Sequence, residues 1–152
     1  MHQLSQRNAV GLLILIAATV FATSMPMLAA QVVPLAIKGC DPVDYVHVGK
    51  PTPGLAEIEY EHDGLHYRFA SPEYRELFRA DPAHYAPQYG NFCAMVLTKG
   101  LLVTANPENW PIHDGKLFVF RSPPPAGPAL FQKDLAENIA KANENRTLIA
   151  KH

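Results

Sequence analysis

The sequence predicts a small α+β domain, in which a short antiparallel sheet of four to five strands packs against about three helices. Two observations carry this prediction. Residues 58–62 and 66–70 alternate apolar and polar side chains around Asp63-Gly64, a dipeptide typical of tight hairpin turns. Directly after them, Ser71-Pro72 places a capping residue and a proline where helices begin, ahead of apolar residues at helical spacing.

The first 30 residues have the pattern of a secretory signal peptide. A short polar stretch carrying Arg7 precedes an almost unbroken apolar run over residues 9–25, which Pro26 ends. Small residues place the expected cleavage after Ala30. The alternative is a retained membrane anchor, because about 17 apolar residues are the minimum that spans a bilayer. We expect cleavage, and therefore an exported protein, periplasmic or extracellular, with no membrane contact after signal cleavage.

Residues 31–152 are expected to form one domain with a C-terminal helix, because the chain is too short for two comfortable cores. Residues 31–53 are rich in Pro and Gly and are interpreted as a structured turn segment. The hairpin follows, and then a helix from Ser71 to about Ala80. Asp81-Pro82 repeats the capping residue and proline, and begins a shorter turn.

The second half of the chain supplies the remaining elements. A compact apolar segment, residues 92–99, is closed by Gly100, the residue expected just past a helix end. Residues 101–104 and 116–120 are predicted to be strands. After a proline-rich linker, a last helix over residues 129–145 presents one apolar stripe, formed by Phe131, Leu135, Ile139 and Ala142.

Composition and motifs exclude several classes of function. The net charge is −1 and the chain has no cluster of five or more Lys and Arg, so it lacks the electrostatic footprint of nucleic-acid binding. It has no nucleophile elbow, phosphate-binding glycine loop or metalloprotease motif, which predicts a protein that is not an enzyme. A Cys93 nucleophile with His113 as its base is conceivable, but its geometry cannot be read from sequence.

The order of several motifs carries a resemblance. The chain has Lys38-Gly39-Cys40-Asp41-Pro42-Val43, the hairpin, a segment over residues 69–78, and then Ala80-Asp81-Pro82 continuing to Tyr89-Gly90. Asn91-Phe92-Cys93-Ala94 follows. This order resembles the YHS-domain family, in its exported subgroup with a G-x-C-A segment after the domain. The resemblance covers nearly all of the mature chain and implies the small α+β fold of that family.

The resemblance also implies that this chain lacks the family's cysteine metal site. Metal-binding YHS domains carry cysteines at the positions that match Asp44, Ala70 and Tyr74, and none of these three is a cysteine here. In the exported subgroup the position of Cys40 is typically an aromatic residue, whereas a cysteine matching Cys93 is expected. The family's zinc site therefore does not carry over to this chain.

The two cysteines leave three alternatives open: one disulfide, a metal or redox site, or two unpaired structural thiols. A disulfide closing a loop of about 53 residues would stabilise the fold by roughly 4 kcal/mol. The metal site would use thiolate, thioether and imidazole ligands, which suit copper first and zinc second. Its candidate ligands are Cys93, Cys40, His113, His66 and Met95, with the other histidines of the hairpin and turns, His47, His62 and His84, as further possibilities.

The function predicted from sequence is therefore an exported, non-catalytic YHS-domain protein that binds a transition metal ion, copper or zinc. The alternative is a disulfide-stabilised interaction module without metal, whose partner is another protein. Its contact surface would be the last helix or the aromatic residues Tyr85, Tyr89, Phe92 and Trp110. For these aromatic residues an ordinary place in the core is the favoured interpretation.

Overall fold

The computed structural model describes residues 32–123 and 126–151, and the chain from Val32 onward forms one compact unit. The predicted signal peptide, residues 1–30, lies outside the described residues, as do residues 124–125 of the predicted linker. Within the described ranges, no helix has both the length and the apolar character needed to cross a bilayer. The elements are of mixed type, so the predicted α+β class is confirmed.

The described residues contain six α-helices and two antiparallel sheets of two strands each. The helices are α1 Pro42–His47, α2 Pro72–Ala80, α3 Pro82–Tyr85, α4 Ala94–Leu97, α5 Ala126–Lys133 and α6 Leu135–Glu144. The strands are β1 Leu55–His62, β2 Leu65–Phe69, β3 Ile112–His113 and β4 Lys116–Leu117. Short 3-10 turns lie at Ala36–Gly39 and Asn145–Lys151.

The predicted hairpin is formed by β1 and β2. Asp63 and Gly64 connect the strands with φ angles of 48° and 71°, the left-handed conformation that a two-residue hairpin turn requires. Tyr60 lies opposite Tyr67, and the register of the strand pair shifts nearer the start of β1, between Leu55 and Glu59. The β2 side chains Tyr67 and Phe69 are buried, so the aromatic face of the hairpin packs into the core, as the alternation predicts.

Helices α2 and α3 begin where the sequence predicts. The Ser71 hydroxyl accepts a hydrogen bond from the backbone N–H of Tyr74 at 3.2 Å, and a carboxylate oxygen of Asp81 accepts one from His84 at 3.2 Å. A proline occupies the first helical position in both. Asp81 also ends α2, since its own N–H donates to the Leu77 carbonyl. The two helices therefore turn sharply at one residue.

The predicted sheet of four to five strands is not observed in the described ranges, where two separate strand pairs form instead. Residues 101–104 make one isolated bridge, between Thr104 and Phe92, and only Lys116–Leu117 of the segment 116–120 joins a ladder. The backbone of that segment bonds to loops: Phe118 donates to Pro111, Phe120 donates to Asn109, and Val119 accepts from Ala94. Backbone N–H and C=O groups that bond to loops are not available to pair with another strand, so the sheet does not extend through this segment.

The helices differ from the prediction at both ends of the domain. The turn segment predicted over residues 31–53 contains α1, which Asp41-Pro42 begins with the same capping residue and proline as α3. The single helix predicted over residues 129–145 is two helices that break at Asp134, whose φ of −131° and ψ of 54° are not helical. The buried Asn138 amide donates to the carbonyls of Leu130 and Phe131, which satisfies backbone groups freed by the break.

Two hydrophobic clusters form the core. The first packs the hairpin against α1 and α2, with Tyr45, Tyr67, Phe69 and Phe78 among its buried residues. The second packs α4 against α5 and α6, and its buried residues include Tyr89, Cys93, Leu97, Phe118, Phe120, Phe131 and Ala142. Residues 117–120 are fully buried and alternate between the two, because Leu117 and Val119 belong to the first cluster, and Phe118 and Phe120 to the second. This segment is the shared wall of both cores.

Candidate functional site

A groove of about 850 Å³ lies between three parts of the chain that are distant in sequence. The β1–β2 turn, residues 62–65, forms one wall, and α3 with the turn that follows it, residues 82–92, forms the second. The third wall is the 3-10 turn at the C-terminal end, where Arg146, Ile149 and Ala150 line the groove. Small-molecule sites in proteins have volumes of about 300–1,000 Å³, so the groove has the size of such a site.

The second wall is fixed to the N-terminal segment by one side chain. Asn91 accepts a hydrogen bond from the Ile37 N–H at 2.6 Å through its Oδ1 atom, and donates from Nδ2 to the Leu35 carbonyl at 2.9 Å. Both polar atoms of the amide thereby bond to the backbone of the chain. Asn91 holds the turn in place.

The third wall is fixed to α4 and to α6. Asn145 donates through Nδ2 to the Leu97 carbonyl at 3.0 Å and to the Lys141 carbonyl at 3.2 Å. The Tyr89 hydroxyl donates to Asn143 at 3.2 Å, which joins the second wall to α6, the helix that leads into the third wall. The walls of the groove are therefore connected by side-chain hydrogen bonds as well as by packing.

Two buried tyrosines, Tyr67 and Tyr89, form part of the groove lining, with 1% and 3% of their surface exposed. Burial raises the pKa of both hydroxyls. The Asp63 charge raises the pKa of Tyr67 further, whereas the Arg146 charge partly offsets the rise at Tyr89. Both phenols stay protonated at neutral pH and lie behind the surface of the groove. The half-buried Phe92 supplies the more accessible aromatic surface of the lining.

Charged side chains lie at the rim of the groove. Lys116 from β4 and Arg146 from the C-terminal turn are exposed cations that line it. On the hairpin side, Asp63 lies 3.7 Å from the Nε2 atom of His62. The rim thus carries two cations, one carboxylate, and a histidine next to that carboxylate.

The structure places Cys93, the first predicted metal ligand, in the second hydrophobic cluster. Cys93 is 3% exposed and lies directly before α4. Met95 lies within α4 and packs against the same cluster. His113 is on β3, where its Nε2 atom lies 3.0 Å from the Gln132 amide nitrogen and its ring contacts Phe118. These three candidate ligands border one cluster, and the contacts that surround them are largely apolar.

Cys40 lies in a different part of the fold. It packs against the first cluster, near Tyr45, whose hydroxyl donates a hydrogen bond to the Pro107 carbonyl at 3.0 Å. Burial raises the pKa of the Cys40 thiol, an effect that the nearby Tyr45 hydroxyl partly offsets. Both cysteines are free thiols, and they belong to separate clusters, so the structure contains no Cys40–Cys93 disulfide.

His66, the remaining histidine among the five predicted ligands, is on β2. Its backbone N–H donates to the Pro34 carbonyl, and its Nδ1 atom is buried with no hydrogen-bond partner in the described ranges. Across residues 32–123 and 126–151, no group of three or more His, Cys, Asp or Glu side chains is placed to hold a metal ion. The five predicted ligands are spread over several elements, and metal binding stays a prediction.

The positions matched to the family's cysteines lie near one another, around a buried carboxylate. Asp41 is fully buried, and its two carboxylate oxygens accept hydrogen bonds from Val43 at 2.8 Å and from Ala70 at 2.6 Å. Burial raises the pKa of the neighbouring Tyr74, and the charges of Asp44 and Asp41 add to the rise. In this chain the region joins α1, β2 and the start of α2 through the hydrogen bonds of the Asp41 carboxylate.

Sequence reasoning did not identify the groove. Of the four aromatic residues considered for a contact surface, Tyr89 and Phe92 line it, whereas Tyr85 and Trp110 belong to the first cluster. Lys116 and Arg146 carry no local signal, because an isolated cation on a turn has no periodicity or motif. Only folding brings the hairpin, the α3 region and the C-terminal turn together.

Comparisons of the chain with protein-family models, with curated proteins and with solved structures find no match.

Proposed function

We propose that this chain is an exported, non-catalytic, YHS-like domain that binds a small molecule in the groove between the hairpin turn, α3 and the C-terminal turn. The observation that carries the proposal is the groove itself, about 850 Å³ in volume, with buried tyrosines in its lining. Sites of this kind combine a mainly apolar lining with a few polar groups that orient the ligand.

The construction of the walls supports binding. Asn91, Asn143 and Asn145 use their side chains to hold the walls, Asn143 through the Tyr89 hydroxyl. The exposed rim cations, Lys116 and Arg146, stay available to a ligand. A site whose walls are fixed before the ligand arrives loses less conformational entropy on binding. The groove therefore has the features of a preorganised site.

The lining supports binding rather than catalysis. Among the described residues, the lining contains no Ser or Cys, and its histidine and aspartate, His62 and Asp63, are neighbours at the β1–β2 turn. A nucleophile would need a base within hydrogen-bond reach, and neither of these residues supplies that pair. Export is supported by the N-terminal apolar pattern, and the YHS-like assignment by the order of motifs.

The first experiment measures binding of N-phenyl-1-naphthylamine, a neutral aromatic fluorophore, to the protein purified after export. We expect saturable fluorescence enhancement for the wild type. Ala83→Phe should weaken the affinity at least tenfold, because Ala83 is exposed and lines the groove. Ala80→Phe is the matched control, since Ala80 is equally exposed at the end of α2 and does not line the groove. Equal affinity in both variants, or no saturable binding to the wild type, contradicts the proposal.

The same preparation tests the predictions made from the cysteines. We expect two reactive thiols per chain after unfolding without reductant, because the structure has both cysteines free. No reactive thiol would favour the disulfide-stabilised interaction module. Copper or zinc bound in near-stoichiometric amount, and absent from a Cys93→Ser variant, would favour the transition-metal function over the small-molecule one.

A further inference from the structure

We infer that the ligand of this groove is a small amphipathic anion, with an apolar or aromatic body and a single acidic head group; the inference rests on the proposed function. Two features of the groove carry it: uncompensated cations at the rim and aromatic surface within. The cations would bind the acidic head group of the ligand, and the aromatic lining would contact its apolar body.

Among the described residues, the two cations at the rim of the groove have no acidic partner. Lys116 and Arg146 make no ion pair with any residue in the ranges 32–123 and 126–151. The one carboxylate in the lining, Asp63, has His62 beside it at 3.7 Å. Two positive charges on different elements, β4 and the C-terminal turn, raise the local concentration of an anion and orient it as it enters.

One of the cations lines the groove together with the aromatic residues. Arg146 and Tyr89 both line it, and the Arg146 charge partly offsets the rise that burial causes in the pKa of the Tyr89 hydroxyl. An acidic group paired with Arg146 would leave the rest of the ligand against Tyr89, Leu65 and Ile149. Burial of an apolar body there contributes roughly 25 cal/mol for each Å² removed from water.

A matched pair of probes tests the inference. 8-Anilinonaphthalene-1-sulfonate has the aromatic body of N-phenyl-1-naphthylamine and adds one sulfonate. At low ionic strength we expect the anionic probe to bind at least fivefold more tightly than the neutral one. Its affinity should fall as salt is raised, because exposed charges are screened beyond about 10 Å at 0.1 M salt.

Variants that remove charges test whether the two rim cations cause the preference for the anionic probe. The double variant Lys116→Gln, Arg146→Gln should bind the anionic probe at least fivefold more weakly and leave the neutral probe unchanged. The double variant Lys99→Gln, Arg121→Gln is the control, because it removes the same two charges from exposed positions that do not line the groove. Near-ultraviolet circular dichroism of each variant reports whether its tertiary packing is retained.

The outcomes separate this inference from the proposed function. If both probes bind with similar affinity and both are lost in Ala83→Phe, the groove binds ligands but the preference for an anion is wrong. If the rim variant and its control weaken the anionic probe equally, the two cations are not the determinant. If neither probe is affected by Ala83→Phe, the proposed function fails, and the inference fails with it.

Discussion

Asp41 shows how much of this fold depends on one side chain. The residue is fully buried, begins α1, and accepts hydrogen bonds from the backbone of Val43 and Ala70. Its pKa is raised, because the cost of burying the charge exceeds the benefit of these hydrogen bonds. The ionised carboxylate is thus needed as an acceptor and is at the same time disfavoured by its surroundings.

Asp41→Asn should destabilise the protein by about 1–3 kcal/mol at neutral pH, because an amide group replaces one acceptor oxygen. The pH dependence has a definite sign. A group whose pKa is raised on folding binds protons more tightly in the folded state, so the wild type gains stability as pH falls through that raised pKa towards 3.8. The stability difference from Asp41→Asn should therefore widen on acidification.

Urea unfolding of both proteins over a pH series measures this difference. The pKa of Asp44 is raised as well, mainly by burial, and Asp44 is present in both proteins. Its charge is also one of the causes that raise the pKa of Asp41, so the measured difference includes the coupling between the two carboxyl groups. A difference that narrows as pH falls would show that the hydrogen bonds outweigh burial at Asp41.

Residues that act through local geometry were predictable from the sequence, and residues that act at long range were not. Ser71 and Asp81 cap α2 and α3 as predicted, because a cap needs only the N–H groups two or three positions ahead. The clusters that hold Cys40 and Cys93 depend on contacts far along the chain. No spacing rule contains that information.

At the scale of elements, residues 53–55 pack closely against β2 because Gly54 has no side chain. A Cβ atom at Gly54 would lie 2.4 Å from the backbone carbonyl carbon of Arg68. The Gly54 N–H donates to the Gly39 carbonyl at 2.8 Å, so the segment cannot move away without losing that bond. Gly54 therefore sets how closely the start of β1 packs against β2.

Gly54→Ala should destabilise the fold by about 3 kcal/mol, because backbone atoms must shift to admit one methyl group. Gly115→Ala is the matched control. Gly115 has a φ of 69° and no heavy atom within 4 Å of the added carbon, so its cost is that of a left-handed alanine, about 1 kcal/mol. Chemical unfolding of both variants gives the comparison. Equal losses would mean that the hairpin accommodates the methyl group without strain.

The elements that the sequence predicted are those with complete local signals. The Asp63-Gly64 turn specifies the hairpin, and the capping residue with proline specifies the start of α2. The break at Asp134 was missed because the apolar stripe from Phe131 to Ala142 continues through it at helical spacing. The four- to five-stranded sheet was wrong for a related reason, since residues 116–120 have strand-like composition but bond to loops.

At the scale of the whole molecule, two hydrophobic clusters share the buried segment 117–120, and we expect them to unfold together. Phe78→Leu in the first cluster and Phe131→Leu in the second should each destabilise the protein by roughly 1–2 kcal/mol, less than the 3–5 kcal/mol of a change to alanine. Trp110 fluorescence reports on the first cluster, and far-ultraviolet circular dichroism reports on the helices.

The two signals should follow one transition in both variants, with coincident midpoints. Separate midpoints in Phe131→Leu would show that the second cluster, with α5 and α6, unfolds on its own. In that case the C-terminal wall of the groove would open before the rest of the domain.

The groove belongs to this largest scale, which is why sequence reasoning could not find it. Its walls come from residues near positions 63, 85 and 148, and each segment has an ordinary structural reason to exist. The metal ligands predicted from residue type alone are spread over the fold for the same reason. Chemical suitability of a side chain does not determine its neighbours.

The alternation of residues 117–120 also limits how the chain can change in length. Removing one residue from this segment would reverse the parity of every side chain after it, directing phenylalanines into a space occupied by Leu117 and Val119. A single-codon deletion here would damage both cores at once. Divergent descendants of this sequence should accumulate insertions at the hairpin turns and before α5, while the spacing between Leu117 and Phe120 stays constant.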